Sequence, residues 1–512
     1  MYQHCRTRLY ALTLALLLCL SAPAFAAVGE QGETERLNPF GVYPIAKERT
    51  PLSVMMAQNV LVVILASGQT LPDVVSVGMS ISDDYLYGSA GTFLDLTELY
   101  QTQAYYIPQQ LAAHPEVEVM RYITAPDGKI YNIPRYQYEV IGPAGRKCYI
   151  NQDWLDKLGL AQPTNTEEFY QVLKAFAEKD PNGNGKADEI AMVGSTGWGQ
   201  SPIPWLMNAF IYDDDEDNFF VSDGRLDVNY RHEAYREGLR YIHKLVKEGL
   251  LSSLSFTQTM DQLKQLCASE DAATVGCVST FATSMMLPTG HAYNQYYVGL
   301  APIAGPEGNR TAMYAPTLPN NVWHLTRDCR NPELAFRVGD FLWQSESYLR
   351  GRYGVEGQDW YKNEDMTKPA VIAGYKPLFY YPKSIWNDTQ NSHLHNEHPC
   401  FDVTYLNSWV LDLEKTPYNT TYTAGLIAPA YAECFPAEGT YVPVLFYTPE
   451  ETEEVSEIRA TLKSYVTESS TRFVVGDLDL DKDWDAFQTE IEAIGLSRFL
   501  EISQAAYDRM YR

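Results

Sequence analysis

The sequence predicts an α/β fold, and three observations lead to this prediction. Short segments rich in β-branched residues, such as 51–56 and 71–75, alternate along the chain with stretches of helical periodicity. Capping residues and glycines stand where those helical stretches should begin or end. No internal repeat or long low-complexity linker interrupts the alternation, which argues against repeat architectures.

The first predicted elements follow a polar leader that ends near Thr50. Residues 51–56 predict a strand, residues 59–66 form an apolar segment closed by Ser67-Gly68, and a second strand begins at Leu71. The pattern then predicts a helix that opens at 93–100, a turn and strand at 127–131, and an extended segment at 134–149.

Apolar residues at helical spacing predict the later helices. The first carries Phe169, Val172, Leu173 and Phe176, and a capping box of Thr164 with Glu167 should begin it. The others are marked by Tyr235, Leu239, Ile242 and Val246, with Gly249 past the end; by Leu334, Val338, Phe341 and Leu342; by Trp484, Phe487, Ile491 and Ile494, ended by Gly495; and by Ala505, Ala506, Tyr507 and Met510.

The amino terminus has the features of a secretory signal peptide over residues 1–26. Basic residues precede an apolar run at 9–20, and Ala24-Phe25-Ala26 forms a small-x-small cleavage site, so the mature chain should begin at Ala27. Lipid attachment at Cys19 is the alternative, although Leu18 stands where lipoprotein processing needs a small residue. No later segment is apolar for long enough to span a bilayer.

Composition limits the partners. The 512-residue chain has 65 acidic and 39 basic residues, a net charge of −26, which repels nucleic acid and anionic lipid. This length provides material for two or three domains. Aromatic residues make up 13% of the chain and include 37 tyrosines, which serve equally for core packing and for stacking on sugar rings.

Six cysteines remain after the signal peptide, and none forms a CxxC pair. An exported protein can form disulfides, but six cysteines allow fifteen pairings among which the sequence cannot choose. The shortest spacing makes Cys267 with Cys277 the simplest candidate pair.

The stretch DPNGNGKADE at 180–189 predicts a structural calcium site. Oxygen side chains recur at alternate positions, and Gly183 and Gly185 permit the tight turn that brings them together. The opening matches an EF-hand loop, but its twelfth position is Ala191, so an acid two residues earlier must close the shell. The alternative is a solvated Asx-rich turn. The predicted ligands are Asp180, Asn182, Asn184, Lys186 through its carbonyl, Asp188 and Glu189.

Two other motifs suggest metal chemistry. The run from His393 through His395 and Glu397 to His398 resembles the H-x-H-x-D-H run of metallo-β-lactamase-type hydrolases, but no histidine follows to complete a metal site. A surface zinc site is therefore the most that this run supports. The acidic run at 213–217 is expected to be a solvated loop, with a second cation site as the alternative.

Several stretches together resemble the extracellular solute-binding proteins of ABC-type sugar importers, in the large oligosaccharide-binding subgroup. They span nearly the whole mature chain: ASGQTLPDVVSVG at 66–78, DGKIYNIP at 127–134, residues 149–190 including the calcium loop, EGLRYIHKLVKEGLL at 237–251, residues 331–360 with NPELAFRVGDFL and YGVEGQDW, and residues 484–510. In this family the DPNGNGKADE loop resembles a known structural calcium site, in agreement with the prediction from spacing.

The resemblance implies a type II periplasmic-binding-protein-like fold, with two α/β lobes joined by hinge crossovers around an interlobe cleft. We expect lobe 1 at 27–139 plus 317–372 and lobe 2 at 140–316 plus 373–512, with crossings near 137–141, 316–321 and Ala373. Only about ten residues separate Met56 from Leu65, where the family has a further helix and strand, so one β-α unit should be absent.

The resemblance also implies a monomeric, exported protein without catalytic activity. It would capture an oligosaccharide in the cleft and deliver it to the membrane permease, from a periplasmic or extracellular location and in association with the membrane through that permease. A secreted carbohydrate-active or metal-dependent hydrolase is the alternative, since two carboxylates in an aromatic cleft would suffice, although no motif fixes such a pair.

The candidate sugar contacts are aromatic faces and planar polar groups near the predicted meeting of the lobes. A tryptophan is more often a core residue than a ligand platform, so each assignment needs a structural test. The candidates are Asp83, Tyr85, Arg135 and Tyr136 in lobe 1, Trp198, Trp205, Asn208, Tyr212 and Trp386 in lobe 2, and Trp323 and Trp360 beside the crossovers.

Overall fold

The computed structural model describes residues 36–56, 69–288, 290–380, 394, 397–411, 420–442 and 444–512. The predicted signal peptide and the segment of the predicted β-α deletion at 57–65 lie outside these ranges. The chain divides into two compact units, 1–50 and 51–512. In the first unit, the described residues include an antiparallel bridge between Leu37 and Ala46. All elements below belong to the second unit.

The strands are short. In chain order they are β1 (Val54–Met55), β2 (Val74–Val75), β3 (Ile133–Gln137), β4 (Cys148–Asn151), β5 (Ile190–Val193), β6 (Phe219–Ser222), β7 (Arg225–Val228), β8 (Val275–Ser279), β9 (Tyr297–Leu300), β10 (Asn320–Leu325), β11 (Tyr361–Lys362), β12 (Phe379–Tyr380) and β13 (Cys400–Asp402).

The helices alternate with these strands and then dominate the carboxyl-terminal part. They are α1 (Ile81–Ser89), α2 (Thr97–Thr102), α3 (Tyr106–Ala113), α4 (Val119–Ile123), α5 (Gln152–Leu158), α6 (Thr166–Glu178), α7 (Pro202–Met207), α8 (Glu233–Lys247), α9 (Met260–Cys267), α10 (Pro332–Phe341), α11 (Ser345–Tyr353), α12 (Thr420–Ala432), α13 (Pro449–Val475), α14 (Trp484–Ile494) and α15 (Leu496–Tyr511).

The first lobe is built on a five-stranded sheet of order β1-β2-β10-β3-β13. β1 runs parallel to β2, β10 runs antiparallel to both β2 and β3, and β13 runs parallel to β3. Its core contains Val74, Ile133, Leu325, Phe336 and Trp343, all of them buried. Burial of such apolar side chains is the main source of stability for this lobe.

The second lobe is built on a four-stranded sheet of order β5-β8-β4-β9. β5 and β8 are parallel, and β4 is antiparallel to its neighbours β8 and β9. All five residues of β8 are buried, as expected for a strand inside a covered sheet. A large apolar cluster joins this sheet to α8, α13, α14 and α15. The carboxyl-terminal helices therefore belong to the second lobe.

Local sequence explains where several helices begin and end. Thr448 and Glu451 form a capping box with Pro449 at the first position of α13, and Gly476, with φ of +89°, ends that helix. The predicted capping box of Thr164 with Glu167 is wrong by one residue. Asn165 has extended backbone and accepts the N–H of Glu168, because Thr166 is already the first helical residue of α6.

Two passages of the chain between the two sheets lie in the described residues, and a third includes residues 412–419, which are outside them. The chain leaves β3 for β4 across 138–147, returns from β9 to β10 across 301–319, and crosses again after Asp402, before α12 packs on β9. The third crossing predicted near Ala373 is therefore misplaced, because β13 still pairs with β3 in the first lobe. The remaining lobe boundaries stay a prediction.

The predicted disulfide between Cys267 and Cys277 is also wrong. All six cysteines in the described residues are free thiols. Cys267 packs in one apolar cluster with Val275 and Val278, whereas Cys277 packs in the large second-lobe cluster beside Cys148. None of the described helices is both long and apolar enough to cross a membrane.

Candidate functional site

An exposed tryptophan stands on the second lobe beside the crossings. Trp198 is 62% exposed and lies in the loop that follows β5. Its ring centroid is 5.4 Å from that of Phe281, which follows the parallel strand β8. Ligands of open α/β sheets commonly bind outside the carboxyl ends of parallel strands, where these two loops lie.

The loop that carries Trp198 is held by hydrogen bonds. The Ser195 N–H donates to the Gln200 carbonyl at 3.0 Å, and the Gln200 side chain donates to the Met285 carbonyl at 2.8 Å. Gly199 has φ of +75°, and a β-carbon there would lie 3.2 Å from that of Phe281. A glycine is therefore required beside Trp198, and the indole is presented from an ordered loop.

An ion pair adjoins the indole. Arg146 lies just before β4, with its guanidinium carbon 5.4 Å from the centroid of the Trp198 ring. Its Nη2 donates to a carboxylate oxygen of Asp215, and its Nη1 donates to the Gly145 carbonyl at 3.2 Å. We call Trp198, Phe281, Arg146 and Asp215 the Trp198 platform. It offers an apolar face beside paired hydrogen-bond donors and acceptors.

The platform rests on the junction between the lobes. Phe281 packs against an apolar cluster that includes Ile141 from the first crossing, together with Ile372 and Ala428. The Lys147 ammonium lies 4.3 Å from the Phe281 ring centroid and donates to the carbonyls of Ile141 and Ala144. A movement of the first crossing would therefore shift the residues that pack against Phe281.

Burial sets the charge state of Lys147. Desolvation lowers its pKa from 10.5 to about 7, although the nearby Glu139 carboxylate opposes this change. The Lys147 Nζ donates to the carbonyls of Ile141 and Ala144. The hydrogen bonds of Lys147 are therefore made to backbone groups at the lobe junction.

A second aromatic group surrounds Tyr212 on the second lobe. The Tyr212 hydroxyl donates to the Tyr314 carbonyl at 3.4 Å. The ring centroid of Tyr314 lies 4.6 Å from Phe435 and 4.8 Å from Tyr441. These half-buried rings provide further flat surface of the kind that packs on sugars.

The two lobes touch away from the crossings. The Tyr447 N–H of the second lobe donates to Ser82 Oγ of α1 at 3.4 Å. The guanidinium carbon of Arg121 on α4 lies 5.8 Å from the centroid of the Tyr511 ring on α15. Contacts of this kind hold a two-lobe protein closed.

Three first-lobe candidates are not core residues. Asp83 lies in the first turn of α1, where Ser80 Oγ caps the helix by accepting the Asp83 N–H and donates to the Asp83 carboxylate. Tyr85 is half-buried on α1, and burial and the charges of Asp127 and Glu450 raise its pKa. Arg135 is half-buried on β3, and burial lowers its pKa.

Five of the predicted sugar contacts are core residues instead. All five side chains are buried: Tyr136 is only 7% exposed and stacks on Phe401 with ring centroids 5.4 Å apart, and Asn208 donates to the carbonyls of Pro204 and Asp213. The three tryptophans each donate the indole N–H to a group of the protein. The acceptors are the Tyr431 hydroxyl for Trp205 at 2.9 Å, the Ala335 carbonyl for Trp323 at 3.1 Å and the Gly354 carbonyl for Trp360 at 3.0 Å. We withdraw these five as contacts. Trp386 lies outside the described residues.

The structure adds residues that sequence reasoning missed. Arg146, Asp215 and Phe281 come from three separate segments, and 69 residues separate the members of the ion pair. No local motif marks them. The one available signal was the placement of Arg146 and Phe281 at the ends of strands that belong to one sheet.

The acidic run at 213–217 is not a simple solvated loop. Asp213 is buried, and burial raises its pKa to about 6. Arg146 pairs with Asp215, while Arg459 of α13 pairs with Asp217 at 2.5 Å. The run links the platform to α13, because Asp215 pairs with Arg146 while Glu216 and Asp217 pair with Arg459.

The predicted calcium loop connects α6 to β5 and folds around Asp180. The Asp180 carboxylate accepts the N–H groups of Gly183 at 2.8 Å, Asn184 at 3.1 Å and Gly185 at 2.9 Å. Both glycines have positive φ, +74° for Gly183 and +73° for Gly185. The backbone thus wraps one carboxylate, as a cation-binding loop requires.

Other polar side chains of the loop converge on Asp188. Its carboxylate accepts the amide groups of Asn182 at 2.9 Å and Asn184 at 3.1 Å, and these bonds lower its pKa. Glu189 Oε1 is buried, and no hydrogen-bond partner for it is found among the described residues. Burial raises the pKa of Glu189, and the charges of Asp180 and Asp188 add to this effect.

These observations fit a cation. The buried Glu189 oxygen lies in the same loop as the carboxylates of Asp180 and Asp188 and the amide oxygens of Asn182 and Asn184. A divalent ion would bind the Glu189 oxygen and neutralise the carboxylates. Within the described ranges, no group of three His, Cys, Asp or Glu side chains is placed to hold a metal. Amide and carbonyl oxygens would therefore have to complete the shell.

The histidine run lies only partly within the described residues, so the predicted zinc site stays a prediction. His393 and His395 lie outside them. His398 is buried against Gly351, so its ring is placed in the protein interior.

Two grooves lie elsewhere on the second lobe. One of about 630 Å³ runs along α13, and one of about 270 Å³ lies between 162–164 and 300–310. Neither is lined by an aromatic residue, so neither offers the stacking surface found at Trp198.

No protein-family model matches the chain. The chain is 27% identical over 456 residues to the fructooligosaccharide ABC transporter substrate-binding protein FusA of Streptococcus pneumoniae serotype 4. The alignment covers 87% of this chain and 81% of FusA.

Solved structures share the fold. FusA in complex with kestose superposes with a TM-score of 0.72 at 24% identity, covering 88% of this chain and 90% of FusA. An extracellular solute-binding protein from Bifidobacterium longum subsp. infantis superposes with a TM-score of 0.74 at 20% identity, covering 89% of this chain and 90% of that one.

Two further structures concern cations. One is an EF-hand mutant of FusA in complex with fructo-nystose, with a TM-score of 0.71. The other is the alginate-binding protein AlgQ2 without calcium ion, 25% identical with a TM-score of 0.64, covering 88% of this chain and 89% of AlgQ2. The chain is therefore close in sequence to FusA, a substrate-binding protein of an ABC transporter, and has the two-lobe fold of solute-binding proteins for sugars.

Proposed function

We propose that this protein binds an oligosaccharide between its two lobes and delivers it to an ABC-type permease. The single observation that carries the proposal is the Trp198 platform, an exposed indole beside the Arg146 and Asp215 pair at the lobe junction. The indole can cover the apolar face of a sugar ring, and the ion pair can bond the hydroxyl groups at its edge. Similarity to FusA supports an oligosaccharide as the ligand.

The binding site takes in more than the platform. We include Tyr212 with its aromatic neighbours on the second lobe, and Asp83, Tyr85 and Arg135 on the first. Several separate contacts suit an oligosaccharide, whose successive rings each need a surface.

The same proposal places the protein outside the cell membrane as a non-catalytic monomer. Cleavage after Ala26 would release the chain, and its net charge of −26 leaves no role in nucleic-acid binding. Its partners are the oligosaccharide and the permease subunits that receive it.

We further propose a structural calcium ion in the 180–189 loop, held by Asp180, Asn182, Asn184, the Lys186 carbonyl, Asp188 and Glu189. The buried Glu189 oxygen without a partner in the described residues supports the assignment. The EF-hand mutant of FusA and the structure of AlgQ2 without calcium ion are consistent with a cation loop in this chain and support the proposal. The ion would brace the start of β5, whose far end leads to Trp198.

A panel of purified oligosaccharides tests the function. We expect at least one neutral oligosaccharide to raise the melting temperature by several degrees and to bind with micromolar or tighter affinity in calorimetry, since binding to the folded state alone stabilises it. No stabilisation by any sugar of the panel would contradict the proposal. Release of new reducing ends from a polysaccharide would support the hydrolase instead.

A further inference from the structure

The Arg146 guanidinium lies beside the Trp198 ring and forms an ion pair with Asp215. Its side chain is 9% exposed, and it reaches the indole at 5.4 Å. Nη2 is bonded to Asp215 and Nη1 to the Gly145 carbonyl, while Nε is buried and finds no partner among the described residues. One donor of a buried charged group therefore lacks a partner among the described residues. Because Nε is buried, a ligand hydroxyl at the platform would accept from the second hydrogen of an Nη group instead.

Asp215 is held where it meets Arg146. Its φ of +56° is a left-handed conformation, which a non-glycine residue adopts only when its surroundings enforce it. The Asp215 N–H donates to Asp213 Oδ1 at 2.8 Å, and Asp214 Oδ1 accepts from Glu216 and Asn218 at 2.9 and 2.7 Å. The loop thus presents a fixed carboxylate to the guanidinium.

The pair changes what the platform can recognise. A free arginine binds a carboxylate in two parallel hydrogen bonds, which would favour a uronic acid. Here Asp215 accepts from Nη2 and the Gly145 carbonyl accepts from Nη1, so both nitrogens of the fork are already engaged and the charge of Arg146 is paired. Asp213 and Glu216 add further negative charge to the surroundings of Arg146. Lys147 is turned to the carbonyls of Ile141 and Ala144, so it supplies no charge to the ligand face.

We propose that Asp215, by holding and neutralising Arg146 beside Trp198, makes the site selective for neutral over acidic oligosaccharides. The proposal rests on the function proposed above and adds the substrate class. A neutral sugar can donate a hydroxyl to Asp215 and accept from Arg146 at once, whereas a uronate would meet a second carboxylate without a spare cation.

The test compares the full-length wild-type protein with Asp215→Asn by calorimetry. The neutral probes are kestose, maltotriose and cellotriose, and the acidic probes are trigalacturonate and an alginate trisaccharide. We expect the wild type to bind a neutral probe at least tenfold more tightly than either acidic one. Asparagine has the shape of aspartate and tolerates a left-handed backbone, so Asp215→Asn should stay folded. Its ratio of neutral to acidic affinity should be at least tenfold smaller than that of the wild type, chiefly because the acidic probes bind more tightly.

Two further variants make the outcome specific. Asp223→Asn removes the charge of another aspartate with a left-handed backbone, φ of +51°, which is exposed between β6 and β7, so the preference should change less than twofold. Arg146→Gln should weaken neutral binding and gain no acidic binding. Melting temperatures report whether each variant is folded.

The outcomes separate the two proposals. A wild type that prefers the acidic probes, or a preference in folded Asp215→Asn within twofold of the wild type, overturns the role of Asp215 and leaves sugar binding intact. Binding of no probe by the wild type overturns sugar binding itself.

Discussion

Trp198 differs from the other tryptophans that sequence alone suggested as ligand contacts. Trp205, Trp323 and Trp360 each donate the indole N–H to a group of the protein and are buried, whereas Trp198 is 62% exposed. A large exposed indole has a hydrophobic cost that a ligand can remove. The difference depends on tertiary packing, which is why local sequence could not separate these four residues.

Trp198→Ala should weaken oligosaccharide binding by about 1 to 2 kcal/mol, roughly 5-fold to 30-fold, because a stacking face is lost. Calorimetry with a neutral sugar that binds the wild type measures this change. Leu254→Ala, at another exposed apolar side chain of the second lobe, is the control and should bind as the wild type does. Equal affinity of Trp198→Ala and wild type would remove the platform from the site.

Lys147 makes the stability of the protein depend on pH. Its pKa is 10.5 in the unfolded chain and about 7 in the folded one, because burial disfavours the ammonium. Between these values the unfolded chain binds more protons, so the free energy of unfolding should rise with pH by up to about 1.4 kcal/mol per pH unit. The destabilisation caused by burying Lys147 is absent above pH 10.5, where the amine is neutral in both states, and is complete below pH 7.

Lys147→Met should abolish this part of the pH dependence, since methionine does not titrate. Urea unfolding at pH 7, 8 and 9 measures it, and the slopes of wild type and variant should differ by roughly 1 kcal/mol per pH unit. The level of stability will also change, because two carbonyls lose a donor, but the slope is the diagnostic quantity. Parallel slopes would show that Lys147 keeps its ordinary pKa when folded.

At the scale of elements, the 180–189 loop was recognisable because its chemistry is local. Alternating oxygen side chains and two glycines within ten residues predict the turn, and the structure has both glycines at positive φ around Asp180. The helix starts were less exact, since Asn165 rather than Thr164 caps α6. Two adjacent polar residues can each cap, and the backbone decides between them.

Calcium should stabilise the protein through this loop. In metal-free buffer, calcium at about 100 times its Kd should add about 2.7 kcal/mol to the free energy of unfolding. Glu189→Gln should lose most of that gain, because Glu189 supplies the buried oxygen that lacks a partner in the described residues. Differential scanning calorimetry with and without chelator measures both proteins.

Asp271→Asn is the matched control for this experiment. Asp271 is exposed and contacts the loop only through Lys186 Nζ, 3.5 Å away. It should respond to calcium like the wild type. A wild type whose unfolding is unchanged by calcium would contradict the site, and the loop would then be an Asx-rich turn.

At the scale of the whole molecule, the two sheets and their crossings decide the site. The α/β class and most helices were predictable, because apolar periodicity is a local property. The third crossing was not, since the pairing of β13 with β3 joins residues far apart in sequence. The pairing of Arg146 with Asp215 could not be predicted either, because these residues are far apart in sequence and meet only in the folded second lobe.

Arg121 is expected to favour the closed arrangement. It lies on the first lobe over the ring of Tyr511 on the second, and an exposed cation–π contact contributes about 0.5 to 1 kcal/mol. Apparent affinity includes the population of the closed state, so Arg121→Ala should bind sugar roughly 2-fold to 5-fold more weakly without losing its fold. Calorimetry measures the affinity, and the melting temperature shows whether the variant is folded.

Arg231→Ala serves as the control for closure, because Arg231 is paired with Asp227 within the second lobe. It should leave the affinity unchanged. An Arg121→Ala protein with wild-type affinity would mean that this contact does not contribute to closure.

The central claim is that a sugar lies on Trp198 between two closed lobes. A crystal structure of the protein grown with a neutral oligosaccharide that binds it tests this most directly. The account predicts a sugar ring stacked on the Trp198 indole, with hydroxyl groups bonded to Arg146 and Asp215. A sugar bound on another surface, with the Trp198 platform open to solvent, would contradict it.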